Sequence, residues 1–229
     1  GIEIMMLKQL MISIAVITNA SLISLESVSN ELSLADLVSV KVDTVDENTF
    51  HRLNRPYYKL ELDTILDGVS HFAHSFKGKL ITETMLVEGV NDSPEIIEQT
   101  AKFIATIHPK EAYISIPIRP PQDASVKPPD EEKLVFAYQT FRKYIEDVSL
   151  LSEAEEGSFS STGNIAEDIL SITSVHPMRQ QKIIDLIESR GGRIEIIDEL
   201  VRKNLLRQVD YNKEIFYIRN FSHGGKNGK

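Results

Sequence analysis

Charged side chains interrupt apolar runs of the chain, and these residues could do chemistry. Lys41 lies in the run Leu37–Val42, and Glu83 lies in the run Leu80–Val87. A lysine or a carboxylate within an apolar strand costs several kcal/mol unless it is paired or used. The pattern predicts either a polar lining for a charged ligand or a buried ion pair, with a lysine that reaches out from a sheet edge as a third alternative.

Further polar residues mark the ends of the same runs. Because strand side chains two residues apart share a face, Ser39, Lys41 and Asp43 share one. Asp43 with Thr44 has an alternative role as the cap of the next helix. For Thr18 and Asn19, which follow the first predicted strand, turn formation is the alternative role. The full candidate set is Thr18, Asn19, Ser39, Lys41, Asp43, Glu83, Ser115 and Arg119.

The first two thirds of the chain alternate predicted strands with predicted helices, a pattern typical of βαβ units and a parallel sheet. Ligands of parallel α/β folds bind at the carboxyl ends of the strands, where the polar residues fall. The pattern fits two architectures: an incomplete α/β barrel and a small doubly wound sheet. The predicted strands are Ile12–Ile17, Leu37–Val42, Leu80–Val87 and Tyr113–Ile118, and the main helices are Leu60–Phe76, Pro94–Ile107 and Asp130–Val148.

The last third has a different pattern. Three predicted helices, Ile165–Ser174, Gln180–Arg190 and Ile194–Lys203, precede a predicted hairpin of Leu205–Val209 and Glu214–Ile218. Three helices and a hairpin are winged-helix-like. This part has 11 basic and 9 acidic residues, whereas the whole chain has a net charge of -9. We therefore predict an α/β domain over 1–150, a linker over 151–164, a winged-helix-like α+β domain over 165–221 and a disordered tail over 222–229.

Composition excludes several classes of protein. The 229 residues contain no cysteine, which excludes a disulfide scaffold and a thiolate metal site within this sequence. No apolar run is long enough to span a membrane, so we expect a cytoplasmic protein without a membrane partner. The net charge of -9 argues against a chain-wide nucleic-acid surface. The sequence has no P-loop, no dinucleotide fingerprint and no zinc-protease motif, and its six histidines do not form a ligand pattern.

Four segments together resemble radical S-adenosylmethionine (radical SAM) enzymes, and the branch they most resemble is the archaeal wyosine-base-related iron–sulfur oxidoreductases. The tail, His176–Gly192 through Phe216–Asn220, is similar to a small C-terminal domain in that branch. The segments are VITNASL (Val16–Leu22), ADLVSVKVDTVDENTFHRLNRP (Ala35–Pro56), TETMLVEGVNDS (Thr82–Ser93) and SIPIRPP (Ser115–Pro121).

The resemblance implies a partial (βα)6 barrel that binds S-adenosylmethionine and a [4Fe–4S] cluster. Thr18 and Asn19 match a segment beside the methionine moiety, and Lys41 and Asp43 match a ribose segment in which Lys41 replaces the usual serine. Cofactor binding is thus implied for Thr18, Asn19, Ser39, Lys41, Asp43 and Glu83, and substrate binding for Ser115 and Arg119.

One departure from the family is large, because the cluster-binding cysteines are absent. We expect the first βα units, with the cluster ligands, to lie upstream of residue 1; a degenerate relative without catalysis is the alternative. For the intact protein we expect radical SAM activity on an unidentified substrate, RNA modification being one candidate. Its expected partners are an electron donor such as a flavodoxin or ferredoxin, and tRNA or another nucleic acid. The alternative function is a non-catalytic nucleic-acid- or protein-binding module that uses the winged-helix-like domain.

Overall fold

A five-stranded parallel sheet forms the centre of the first part of the chain. The computed structural model describes residues 2–9, 11–117, 125–151, 164–211 and 213–221. The strands pair in the order β1-β2-β3-β4-β5, and every pair is parallel. They are β1 (Ala15–Thr18), β2 (Leu37–Lys41), β3 (Lys79–Met85), β4 (Glu111–Ser115) and β5 (Val148–Leu151).

The strand order distinguishes the two architectures that the sequence left open. A doubly wound sheet reverses its strand order at a switch point. Here each strand lies beside the one that precedes it in the chain. With right-handed crossovers, that order places the connecting helices on one face of the sheet, as in a segment of an α/β barrel. The doubly wound alternative was therefore wrong.

Six helices accompany this sheet. Asp46, Ser93 and Asp130 each accept a backbone N–H of the first helical turn, so side-chain caps begin the third, fifth and sixth helices. Behind the Ser93 cap, Pro94 is the first helical residue, a position that suits proline because its missing N–H would have no partner there. The helices are α1 (Ile2–Lys8), α2 (Glu26–Leu32), α3 (Glu47–Asn54), α4 (Leu62–Ser75), α5 (Pro94–Thr106) and α6 (Glu131–Arg142).

Alternation along the strands separates the two faces of the sheet. On β3, Leu80, Thr82 and Thr84 are buried, whereas Ile81 and Glu83 between them are only partly buried. The fully buried residues of the strands belong to the same cores as helix residues such as Phe72 and Ile104. Within the described residues, the alternate positions of β3 on the opposite face are less buried, and that face carries the polar side chains described below.

The prediction of four strands and of a helix over Asp130–Val148 was wrong. α6 ends at Arg142, and Val148–Leu151 forms a fifth strand beside β4. Ile145, in the connection, is 6% exposed and packs into the same core as α6. A short apolar run at the end of a helical pattern cannot be told from one more helical turn by periodicity, which is why the strand was missed.

The second part of the chain contains three helices and an antiparallel sheet in the order β6-β8-β7. The predicted hairpin is present, and a two-residue strand, β6, precedes the second of these helices. Its elements are α7 (Ile165–Val175), β6 (Met178–Arg179), α8 (Gln180–Ser189), α9 (Glu195–Arg202), β7 (Leu206–Tyr211) and β8 (Glu214–Arg219). Most of the predicted linker, 152–163, and the predicted tail, 222–229, lie outside the described residues.

The hairpin packs against α6. Val209, Phe216 and Ile218 belong to the same hydrophobic core as Leu134 and Phe141 of that helix. Tyr211 meets Phe136 edge to face, with ring centroids 6.2 Å apart. Apolar burial therefore joins the C-terminal elements to the α/β part. Among the helices of the described residues, none has the length and apolar character needed to cross a bilayer.

Candidate functional site

Four polar residues on adjacent strands form one row across the sheet. Lys41 is the register partner of Glu83, Glu83 that of Tyr113, and Tyr113 that of Ser149. Register partners in a parallel sheet point to the same side, so the four side chains share the sheet face opposite the buried apolar residues of the strands. We call Lys41, Glu83, Tyr113 and Ser149 the polar row.

Lys41 is the cation of this row and lies between two carboxylates. Its Nζ is 3.9 Å from Oδ1 of Asp43 and 3.9 Å from Oε1 of Glu83. Ser115 Oγ donates a hydrogen bond of 2.9 Å to the same Glu83 oxygen. The side chains of Lys41 and Glu83 are 28% and 27% exposed. An ion pair is therefore present, but it is partly exposed and not buried as the alternative expected, and both of its groups remain accessible to a ligand.

Asp43 is the buried member of the cluster, with a side chain only 1% exposed. Its Oδ1 accepts the Met85 N–H at 2.8 Å, and its Oδ2 accepts Nδ2 of Asn54 at 2.9 Å. Burial raises the pKa of this carboxyl, against the opposing effect of the Lys41 charge and these hydrogen bonds. The carboxylate thus joins β2, β3 and the end of α3. The helix-capping alternative was wrong, because Asp46 caps α3.

Asn91 holds the carboxyl ends of β2 and β3 together. It is fully buried, and its Nδ2 donates to the carbonyl oxygens of Asp43 and Met85 at 2.9 and 2.8 Å. Its Oδ1 accepts the Val87 N–H at 2.8 Å. A buried amide with every one of these bonds made fixes the backbone on which Asp43 and the polar row depend.

A second group of polar side chains continues the face toward β5. Ser149 Oγ donates to Oε1 of Glu111 at 2.8 Å. Burial, followed by a hydrogen bond to Glu111 and its charge, raises the pKa of Tyr113 to about 12. The Tyr113 phenol is therefore a neutral donor at physiological pH. Ser149 and Tyr113 both bond to Glu111. The described residues of this face carry the carboxyl groups of Asp43, Glu83 and Glu111 and the ammonium groups of Lys41 and Lys79.

The remaining sequence candidates occupy less open positions. Thr18 Oγ1 accepts the Ala20 N–H and Asn19 Oδ1 accepts the Ser21 N–H, each at 3.1 Å, so both side chains close the turn after β1. Ser39 is 4% exposed and lies one layer below the polar row. Ligand binding by these three residues stays a prediction. Arg119 lies outside the described residues.

Sequence reasoning missed Glu111, Tyr113, Ser149 and the supporting Asn54 and Asn91. Tyr113 lay inside the predicted fourth strand and has the same strand parity as Ser115, but it was not selected. An earlier start for β4 would have added Glu111, which has the same parity. Ser149 was missed because the fifth strand, which carries it, was not predicted. The two asparagines follow their strands in loops or helix ends, and no spacing rule connects them to Asp43.

The donor atoms of the described residues determine whether the chain can hold a metal. Among the described residues, no three histidine, aspartate or glutamate side chains converge as a metal site. The sequence supplies no thiolate. The residues of this chain therefore do not fit a [4Fe–4S] cluster, whereas the charged and hydroxyl groups of the sheet face fit a polar organic cofactor.

The fold resembles that of a solved radical SAM enzyme domain. The chain superposes on a domain of pyruvate-formate lyase-activating enzyme from Bacteroides vulgatus with a TM-score of 0.52, covering 63% of this chain and 84% of that domain. At 19% identity, the match concerns the fold alone. It supports the α/β part of the expected architecture, with its five-stranded parallel sheet.

Sequence comparison identifies the relatives of the chain, although no family model matches it. UPF0026 protein slr1464 of Synechocystis is 36% identical over 105 residues, which are 46% of this chain and 39% of that protein. UPF0026 protein MJ1312 of Methanocaldococcus jannaschii is 40% identical over 227 residues, which cover 98% of this chain and 71% of that protein. The chain belongs to the UPF0026 family.

Proposed function

We propose that this chain forms the S-adenosylmethionine-binding part of a radical SAM enzyme. The observation that carries the proposal is the cluster of Lys41, Glu83 and Ser115 at the carboxyl edge of a sequentially ordered parallel sheet. In parallel α/β folds this edge is where ligands bind. The fold similarity to an enzyme domain of this type adds support.

The chemistry of the cluster suits this cofactor. S-adenosylmethionine carries a carboxylate, an ammonium group, a cationic sulfonium and ribose hydroxyls. Lys41 can pair with the carboxylate, and Glu83 can pair with the ammonium or the sulfonium. Ser115 offers a hydroxyl beside Glu83. The excess of carboxylates on the face favours a ligand with net positive charge.

The iron–sulfur cluster of such an enzyme has no ligands among these residues, because the sequence has no cysteine. The role assigned to this chain is to hold S-adenosylmethionine, which supplies the 5′-deoxyadenosyl group when bound in an intact enzyme. The expected electron donor, a flavodoxin or ferredoxin, and the wyosine-type modification of tRNA belong to the same proposal. A cytoplasmic location is part of the same proposal.

We also propose that residues 165–221 are a winged-helix-like domain that follows the α/β domain of residues 1–150. The chain order of its elements is helix, short strand, two helices and a hairpin, with all three strands antiparallel. Helix α9 carries Glu195, Asp198 and Glu199, which repel phosphate groups. The hairpin packs on α6. These features favour a packing role over nucleic-acid contact for this domain.

The proposal is tested by product formation. The full-length protein is reconstituted anaerobically with iron, sulfide and S-adenosylmethionine, reduced with dithionite and assayed for 5′-deoxyadenosine. Glu83→Gln should lower the rate at least tenfold. Glu98→Gln is the matched control, because Glu98 also pairs with a lysine, Lys102 at 3.0 Å, on the exposed face of α5. Absence of product from cluster-loaded protein, or equal rates for both variants, would contradict the proposal.

A further inference from the structure

Two consecutive tyrosines, Tyr57 and Tyr58, project from the segment between α3 and α4. They are 61% and 77% exposed, and their ring centroids are 4.5 Å apart. Lys59 Nζ lies 5.7 Å from the centroid of the Tyr58 ring. Two adjacent rings with such exposure contribute little to the core, whereas exposed aromatic rings serve as stacking platforms in single-stranded nucleic-acid binding.

The same segment is basic within an acidic chain. From His51 to Lys59 it contains Arg52, Arg55 and Lys59 and no acidic residue, although the whole chain has a net charge of -9. Arg52 is fixed by a hydrogen bond of 3.0 Å from its guanidinium to the Gly89 carbonyl oxygen. Fixed positive charge beside exposed rings complements a phosphate backbone.

The tyrosines lie close to the candidate cofactor site. Asn54, the last residue of α3, bonds Asp43 at 2.9 Å, and Tyr57 follows three residues later, within roughly 10 Å of chain. Arg55 has a left-handed backbone with φ 44°, which ends the helix and directs the chain away from it. A strand bound on these rings would therefore reach the carboxyl edge of the sheet.

We propose that Arg52, Arg55, Tyr57, Tyr58 and Lys59, here called the tyrosine surface, bind a single-stranded segment of nucleic acid next to the cofactor site. Bases stack on the two rings, and the basic side chains contact the phosphates. The inference rests on the proposed function and deepens it, since it names the residues that would hold a nucleic-acid strand beside the cofactor site. It assigns nucleic-acid contact to the α/β part of the chain and not to the winged-helix-like domain.

Direct binding tests the proposal without cofactor or turnover. The anisotropy of fluorescein-labelled 12-nucleotide single-stranded RNA and DNA is titrated with the full-length protein. Tyr57→Leu and Tyr58→Leu should each weaken binding by roughly 5- to 100-fold, the effect of losing one stacked base. Tyr58→Phe should bind like the natural protein, because it keeps the ring. Raising the salt from 50 to 200 mM should weaken binding by about tenfold.

Tyr144 supplies the matched control. It is 38% exposed and also has a lysine near its ring, with Lys102 Nζ 5.7 Å from the centroid, but it lies after α6. Tyr144→Leu should leave oligonucleotide binding unchanged. Equal weakening by Tyr144→Leu and Tyr58→Leu, or no binding of either oligonucleotide, would overturn the proposal. So would tyrosine-dependent binding to anionic vesicles without oligonucleotide binding. A preference between RNA and DNA identifies the source of the strand.

Failure of this proposal is distinguishable from failure of the proposed function. S-adenosylmethionine binding by Tyr57→Leu and Tyr58→Leu should match that of the natural protein, because neither residue belongs to the polar row. Tyrosine-dependent oligonucleotide binding by a protein that does not bind S-adenosylmethionine would overturn the proposed function alone. S-adenosylmethionine binding without tyrosine-dependent oligonucleotide binding would overturn only the proposal for the tyrosine surface.

Discussion

Replacing Lys41 by methionine removes the cation that lies between Asp43 and Glu83. The methionine keeps most of the apolar stem and fits the strand, so the change isolates the charge. Lys41 Nζ lies 3.9 Å from an oxygen of each carboxylate. After the substitution, the buried Asp43 retains its bonds from Met85 and Asn54 but loses its counter-charge. We expect the native state to be destabilised.

The magnitude follows from the geometry. Two unit charges about 4 Å apart attract by ~1 kcal/mol in water and ~4 kcal/mol at the effective dielectric constant near a protein surface. Lys41 is 28% exposed, so solvent screens part of each interaction. We expect Lys41→Met to lower the free energy of unfolding by about 2 kcal/mol at pH 7, as measured by urea denaturation.

The pH dependence has a definite sign. The folded-state pKa of Asp43 is raised by burial. Loss of Lys41 raises it further, so the variant folds best with Asp43 protonated. Its deficit relative to the natural protein should grow as the pH rises from about 4 to 7. Lys8→Met is the control, because Lys8 pairs with Asp36 at 3.6 Å where both side chains are over 40% exposed. Equal, pH-independent losses for the two variants would refute the reasoning.

Three further changes are predicted. Asn91→Ala removes the side-chain partner of three backbone groups, two of them in buried hydrogen bonds, and should cost about 3 kcal/mol in urea denaturation; a loss below about 1 kcal/mol would contradict the assigned role. Burial lowers the pKa of His176, so the unfolded chain binds more protons and stability should rise with pH through about 5 to 7. His176→Phe should flatten that rise, and an unchanged slope would contradict this. Gly68→Ala would place a Cβ 2.8 Å from the Ser24 backbone and should lower Tm by several degrees, whereas an unchanged Tm would exclude this close approach.

The parallel sheet was predictable because its signals are local. Lys41, Glu83 and Ser115 interrupt apolar runs, and the structure brings these three together through strand register and a hydrogen bond. The cap at Ser93 was equally local, since a serine followed by proline begins a helix wherever the fold places it. The short β5 was not predicted, because a four-residue segment with three apolar residues after a helix shows no period of its own.

The burial of Asp43 was not predictable from the sequence. Asn54 donates a hydrogen bond to its carboxylate. Asn91, which is 48 residues away in the chain, donates one to its backbone carbonyl oxygen. Alternation assigned Asp43 to the face of Lys41, but it could not show that each carboxylate oxygen has an internal partner. Such contacts depend on how separate loops pack, and a single sequence does not report them.

The most direct test of the central claim is S-adenosylmethionine binding to the full-length protein by titration calorimetry. The account predicts saturable one-to-one binding that Glu83→Gln weakens at least tenfold and that Glu98→Gln leaves unchanged. No binding by the natural protein, or the same affinity in both variants, would contradict the assignment of the Lys41, Glu83 and Ser115 cluster as the cofactor site.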